Sequence, residues 1–153
     1  MKRLTTFVSV LAVLVATTLG IGANAAPAAG KGVTVDTYPV AFTVISENCN
    51  QLPAGMSISG KGTFTDIFTA SGLESQGRGT ATDNLGNTYV WHYASHLVTK
   101  NGGFTDQFSV SGNGPAAYVT AFKAVFTGAG INPVWVHGDP YTFPLGPGRC
   151  DPL

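Results

Sequence analysis

The chain of 153 residues is only 10% charged, and eight Lys and Arg balance eight Asp and Glu. This composition contains no basic cluster, which argues against nucleic acid as a partner. Twenty Gly, nine Phe and a hydrophobic share of 44% are typical of a folded sheet protein and exclude a disordered chain.

The first 25 residues have the pattern of a secretory signal peptide. Lys2 and Arg3 give a positive start, residues 7–19 form an apolar run, and residues 23–25 (Ala-Asn-Ala) match a small-x-small cleavage site. The apolar run is too short to span a membrane. We therefore expect a secreted, extracellular protein without stable membrane insertion after signal cleavage.

The rest of the chain predicts one disulfide-closed domain. Residues 26–32 are small and predict a flexible leader, and residues 33–153 have the length of a single domain. Cys49 and Cys150 are the two cysteines, and a disulfide is the default for such a pair in a secreted chain. The bridge would attach the Pro- and Gly-rich tail over 138–153 to the loop after the first strand. No neighbouring His or further Cys suggests a metal site there.

The hydrophobic pattern predicts strands and no convincing helix. Alternating apolar and β-branched residues indicate strands over 33–45, 56–70, 78–82, 88–100, 104–110, 116–127 and 134–137. Residues 72–77, 83–87 and 101–103 carry turn residues.

The segment 116–127 leaves two interpretations open. Pro115 and Gly128 flank it as they would flank a helix, whereas its aromatic and Thr residues alternate with the period of a strand. We prefer the strand. The prediction is then an all-β antiparallel meander of about seven to eight strands, closed into a small barrel because open edges must be hidden. A β-sandwich is the alternative.

A nine-residue sequence occurs twice. Residues 64–72 (FTDIFTASG) return as residues 104–112 (FTDQFSVSG), with six identical positions. In each copy a strand would place Phe, Asp and Phe on one face. Burying four Phe side chains, at about 1.5–3 kcal/mol each, favours turning this face inward. Each carboxylate is then carried inward too and needs a hydrogen-bond donor or a proton.

The strand over 88–100 provides two histidines as candidate partners. A hairpin centred near Gly102 would place Val98 opposite Asp106 and His96 diagonal to Asp106 on the same face. Asp66 would then pair with His92 or Arg78. The resulting half-polar cavity between aromatic walls is the predicted ligand site, and its residues are Phe64, Asp66, Phe68, His92, His96, Phe104, Asp106 and Phe108. In the alternative interpretation, these are structural pairs within a packed core.

Three motifs that resemble catalytic or cofactor sites lack the structural context that those sites need. Residues 55–62 nearly match a phosphate-binding loop, but Gly62 replaces the required Ser or Thr and a strand follows. Residues 112–117 match a dinucleotide pattern without a βαβ unit. His92 and His96 would be about 13 Å apart on a strand, too far for one metal ion. We therefore predict no catalytic residue, cofactor or metal.

The signal peptide, the repeated Phe-Thr-Asp-x-Phe strands and the terminal residues 148–153 resemble small uncharacterised secreted β-barrel proteins of high-GC Gram-positive bacteria. More loosely, the chain is similar to lipocalin-type and allene-oxide-cyclase-type barrels, although it lacks the Gly-x-Trp signature of lipocalins. This resemblance implies a barrel and no specific site residue.

Three functions remain open. The preferred one is a non-catalytic barrel that binds a small apolar or amphipathic ligand inside. The others are a structural or surface-interaction module with a packed core, and a cyclase- or isomerase-like enzyme with Asp106 and His96 as acid and base. The ligand's identity and the oligomeric state do not follow from the sequence.

Overall fold

A computed structural model of the chain describes residues 32–138 and Cys150. The predicted signal peptide over 1–25 lies outside the described residues. So do the predicted leader, apart from Gly32, and the predicted tail, apart from Gly138 and Cys150.

Seven strands form one sheet in which every strand pairs antiparallel with the next strand along the chain. They are β1 (Thr34–Ile45), β2 (Ser57–Thr69), β3 (Gly72–Asp83), β4 (Thr88–Val98), β5 (Gly103–Gly112), β6 (Tyr118–Thr127) and β7 (Gly130–His137). The all-β antiparallel meander is therefore confirmed, and the ambiguous segment is a strand. Among the described residues no hydrogen bonds join β1 to β7, so the sheet is not closed into a barrel by its ladder.

Two strands begin several residues earlier than predicted. Residues 72–77 belong to β3, because the turn after β2 needs only Ala70 and Ser71 between the paired residues Thr69 and Gly72. Gly72 and Gly77 favour a turn in the sequence pattern, whereas Gly77 lies within the strand under the ring of Phe64. The last strand likewise begins at Gly130 and not at residue 134.

The sheet curls around the face that carries its largest side chains, which we name the inner face. The ring centroid of Phe42 on β1 lies 5.4 Å from that of Trp91 on β4 and 5.6 Å from that of Phe108 on β5. Three strands separate β1 from β5 in the sheet, so only strong curvature brings these rings together. Trp91 and Phe108 are 0% exposed, which places the core in this concavity.

Glycines on the inner face make room for these rings. A Cβ atom on Gly77 would lie 2.8 Å from two ring atoms of Phe64, and one on Gly79 would lie 2.6 Å from the indole nitrogen of Trp91. The same indole N–H donates a hydrogen bond of 3.1 Å to the carbonyl of Lys61. The rings therefore lie directly on the backbone of neighbouring strands, which fills the interior of the curled sheet.

The predicted disulfide is formed. Cys49 and Cys150 are joined with a Cα–Cα distance of 4.5 Å, and both are fully buried. The Tyr118 hydroxyl donates a 2.7 Å hydrogen bond to the carbonyl of Cys150. Residue 150 is thus attached both to the loop after β1 and to the start of β6.

Asp83 organises the β3–β4 turn at the same end of the sheet. Its carboxylate accepts hydrogen bonds from the amides of Leu85 and Asn87, from the Asn87 side chain and from the Tyr89 hydroxyl. Burial raises the pKa of this carboxyl, but the hydrogen bonds from Asn87, Tyr89 and Leu85 lower it by more, so the net direction is downward. Asp83 is a buried carboxylate with a structural role.

Candidate functional site

The two copies of the repeat lie on β2 and β5, which run in opposite directions along the sheet. β2 and β5 are connected through three successive antiparallel pairings. Because each pairing reverses the strand direction, the second copy runs opposite to the first. The Phe-x-Asp-x-Phe pattern reads the same from either end. Consequently Phe64 and Phe108 are the buried core rings of their copies, while Phe68 and Phe104 lie towards the opposite end of the strands.

Each repeated aspartate accepts a hydrogen bond from a tyrosine. The Tyr38 hydroxyl donates to Oδ2 of Asp66 at 3.0 Å, and the Tyr93 hydroxyl donates to Oδ2 of Asp106 at 2.5 Å. In both cases the tyrosine is paired with the core phenylalanine, Tyr38 with Phe64 and Tyr93 with Phe108. The phenol therefore reaches the carboxylate diagonally, and the donor that each inward-facing carboxylate needs is a tyrosine.

Burial raises the pKa of Tyr38 well above its ordinary value. The Asp66 carboxylate raises it further, both through its charge and by accepting the hydrogen bond, and the charge of Asp36 adds to this effect. Asp36 lies directly opposite Asp66 and is exposed to solvent. The phenol thus remains protonated at neutral pH and holds the Asp66 carboxylate in a fixed orientation.

The two aspartates belong to one line of polar side chains across the inner face. The register pairs Asp66 with Ser75, Ser75 with Ser95, and Ser95 with Asp106. Both serines are buried, and Asp106 is only 5% exposed. We call these four residues the acid row.

A row of apolar side chains lies beside the acid row, on the side away from the core. Its members are Phe68, Leu73, Leu97 and Phe104, paired in that order across β2 to β5. We call it the rim row, because Phe68 is 45% exposed and the other three are partly exposed. The acid row therefore separates a closed aromatic core from an apolar edge that reaches water.

The predicted pairing of Asp106 with His96 is wrong. Ser95 lies opposite Asp106, and His96 lies opposite Thr105. The predicted register differs from the observed one by three residues, and an odd difference moves every side chain of β4 to the other face. The hairpin centre lies between Lys100 and Asn101, because Val98 is paired with Gly103.

His92 and His96 therefore lie exposed on the other face of the sheet, which we name the outer face. Arg78 lies opposite His92 on the same face, so the predicted pairing of Asp66 with His92 or Arg78 is also wrong. The other six predicted site residues lie together on the inner face; they are Phe64, Asp66, Phe68, Phe104, Asp106 and Phe108. An acid–base pair of Asp106 and His96, which the enzyme interpretation requires, is not formed.

Sequence reasoning missed the two tyrosine donors. Tyr93 shares a face of β4 with Tyr89 and Trp91, and this is the bulkier of the two faces of that strand. Since burying Trp and Tyr stabilises a fold more than burying His, this face could have been assigned inward from the sequence. The same reasoning would have placed Tyr93, and not His96, beside Asp106.

The outer face carries a cavity of about 440 Å³ that extends from β3 to β7. The cross-strand pairing places Ala94 between Gln76 and Gln107, and Ala121 beyond Gln107. These two alanines are the small side chains of the row, whereas their neighbours are long. The longer outward side chains around the alanines are those of Glu74, Gln76, His96, Gln107 and Trp135.

Two side chains of this outer cavity are already positioned relative to each other. The Gln76 amide donates a short hydrogen bond to the Glu74 carboxylate. His96 lies directly opposite Glu74 on β4 and opposite Thr105 on β5. At the β7 end Trp135 is 47% exposed, so its indole is accessible from solvent. The cavity therefore combines an aromatic surface with amide, carboxylate and imidazole groups.

Among the described residues no three His, Cys, Asp or Glu side chains are grouped closely enough to hold a metal ion. The same part of the chain contains no helix that is both long and apolar enough to cross a membrane. No protein-family profile, curated protein or solved structure matches the chain. The function must therefore be argued from the geometry of the two faces.

Proposed function

We propose that the protein is a secreted, non-catalytic β-module whose interior is filled by its own side chains and which acts through its surface. The observation that carries this proposal is the aromatic cluster of the inner face. The Trp91 ring contacts those of Phe42, Phe64 and Phe108, and the Phe42 ring also contacts that of Phe108, with ring centroids 5.4–6.2 Å apart. Such spacings are those of packed aromatic pairs, and they leave the centre of the curled sheet to the protein itself.

The extracellular part of the proposal rests on the amino-terminal pattern and on the disulfide. Disulfides such as Cys49–Cys150 persist in oxidising compartments and are rare in the cytosol. The bridge fixes residue 150 to the loop after β1 at one end of the core, which suits a small module exposed to unfolding conditions outside the cell.

The proposal predicts that the purified protein carries no small molecule. Native mass spectrometry should show the mass of the polypeptide less the two hydrogens of the disulfide, before and after gentle collisional activation. Titration with a fluorescent fatty acid should give no saturable binding. A copurified molecule that is released only on unfolding would contradict the packed interior.

A second candidate function, binding of a small amphipathic molecule, is favoured by the position of the acid row. An apolar group could lie on the rim row while a hydroxyl or ammonium group reaches Asp66 or the neighbouring serines. Asp66→Asn and Asp106→Asn, made separately, test this candidate. Loss of thermal stability without any change in the binding of a fluorescent long-chain alkylammonium probe leaves these carboxylates a structural role only.

A further inference from the structure

We infer that the outer cavity is a binding site for a neutral saccharide. The inference deepens the proposed surface function and rests on it. The cavity combines one accessible indole with a set of planar polar side chains on neighbouring strands. A ligand that satisfies both must present flat C–H surfaces and several hydroxyl groups side by side, and a pyranose ring has this combination.

The indole supplies the apolar surface. Trp135 is on the edge strand β7, paired with Lys123 of β6, and about half of its surface is exposed. An exposed tryptophan offers a large, rigid contact area at a small cost in side-chain entropy. Trp135 lies next to the row that contains Ala121, so a sugar ring stacked on the indole would extend over this small side chain.

The side chains that surround the two alanines supply the polar contacts. Ala94 leaves open space between the side chains of Gln76 and Gln107, and Ala121 leaves open space on the other side of Gln107. The two glutamine side chains can each donate and accept hydrogen bonds. His96 and Glu74 adjoin them in the next row, and the hydrogen bond from Gln76 already orients the carboxylate. Paired donors and acceptors of this kind match vicinal hydroxyl groups.

The charge distribution favours a neutral ligand over an anionic one. No Lys or Arg side chain is among the residues that line the outer cavity. Glu74 would repel a phosphate or a carboxylate brought close to Gln76. Lys123 is opposite Trp135 and Thr105 but does not line the cavity. The volume of about 440 Å³ suits one or two sugar rings.

Intrinsic fluorescence tests the inference directly, because the chain contains two tryptophans and only Trp135 is exposed. The probes are cellopentaose, maltopentaose and chitopentaose, titrated into the full protein up to about 10 mM, so that a site with a Kd of about 1 mM would still be saturated. We expect at least one of them to quench and shift the exposed tryptophan emission saturably, and inorganic phosphate to have no effect.

Three variants locate the site. Trp135→Ala should abolish the binding of the active probe, and Gln107→Ala should weaken it about five- to tenfold, the loss expected for one hydrogen bond. Val134→Ala, next to Trp135 on the same strand but outside the cavity lining, should bind as the parent does. Isothermal titration replaces fluorescence for Trp135→Ala, and the near-ultraviolet circular dichroism of buried Trp91 reports that the variant is folded.

The outcomes separate this inference from the proposed function. No saturable signal with any of the three probes, or binding that is unchanged in Trp135→Ala and Gln107→Ala, overturns the saccharide site and leaves the packed surface module standing. A copurified interior ligand, in contrast, overturns the proposed function. Saturable binding that Val134→Ala weakens as much as Gln107→Ala also refutes the assigned cavity.

Discussion

Replacing Gly77 by alanine should destabilise the protein although it adds a single methyl group. The new Cβ would lie 2.8 Å from Cδ2 and from Cζ of Phe64, and closer still to Cε2. Ordinary carbon–carbon contacts are about 3.5–4.0 Å, so the ring or the strand must move by roughly 1 Å. The ring has little room, because its centroid is 5.0 Å from that of Tyr93 and 6.1 Å from that of Trp91.

The expected cost follows from these contacts. Overpacking in a filled core costs about 1–3 kcal/mol, whereas reducing the freedom of the unfolded chain by replacing glycine regains about 0.4–1 kcal/mol. Gly77 does not have positive φ, so alanine meets no backbone strain of its own there. We expect Gly77→Ala to lower the free energy of unfolding by about 1–2 kcal/mol, measured by urea denaturation of the purified oxidised protein.

Gly128 provides the matched control. It lies in the turn between β6 and β7, lacks positive φ, and has no atom within 4 Å of the position a Cβ would occupy. Gly128→Ala should therefore be neutral or stabilise by up to about 1 kcal/mol. If the two variants unfold at the same urea concentration, the Phe64 ring does not rest on Gly77 and does not fill the interior there.

Three further predictions concern the bridge and two titrating groups. Reduction of Cys49–Cys150 should lower the free energy of unfolding by about 4–5 kcal/mol, since the bridge closes a loop with a sequence separation of 101 residues; equal urea midpoints with and without reductant would contradict this. Because the pKa of Tyr38 is raised on folding, the contribution of this phenol to stability is complete below pH about 10 and is lost at higher pH. In urea titrations at alkaline pH, Tyr38→Phe should therefore lose less stability than the parent protein. The pKa of Asp83 is lowered on folding, so its contribution is present above pH about 4 and is lost in acid; stability should fall less steeply between pH about 5 and 2 in Asp83→Asn, and a parallel fall in both proteins would refute it.

The strands and the disulfide could be predicted because they depend on local pattern and composition. The segment over 116–127 has period-two alternation, and Tyr118 and Thr120 are indeed buried on one face while Val119 is exposed. Flanking Pro115 and Gly128 gave the competing helix signal. The segment forms a strand because a strand here extends the sheet and covers the core with its single row of aromatic side chains. A helix of the same residues could not do both.

The candidate site could not be predicted correctly because it depends on register. Moving the centre of one hairpin by an odd number of residues exchanged the two faces of β4 and replaced Tyr93 by His96 as the partner of Asp106. Turn residues alone did not determine that centre, since Asn101, Gly102 and Gly103 all favour turns. Gly77 is an inner-face glycine that the sequence predicts in a turn, because its role as space for the Phe64 ring becomes evident only in three dimensions.

The duplicated Phe-Thr-Asp-x-Phe sequence explains why one motif can serve two strands of opposite direction. The curled sheet has a closed end and an open end, so a strand and its reversed copy meet these ends in opposite order. A pattern that is symmetric about its aspartate tolerates this reversal: either phenylalanine can fill the core while the other lies at the rim. The aspartate at the centre then falls at the same level in both strands, where a tyrosine from the neighbouring strand donates to it. The two carboxylates therefore mark the boundary between the packed interior and the open edge.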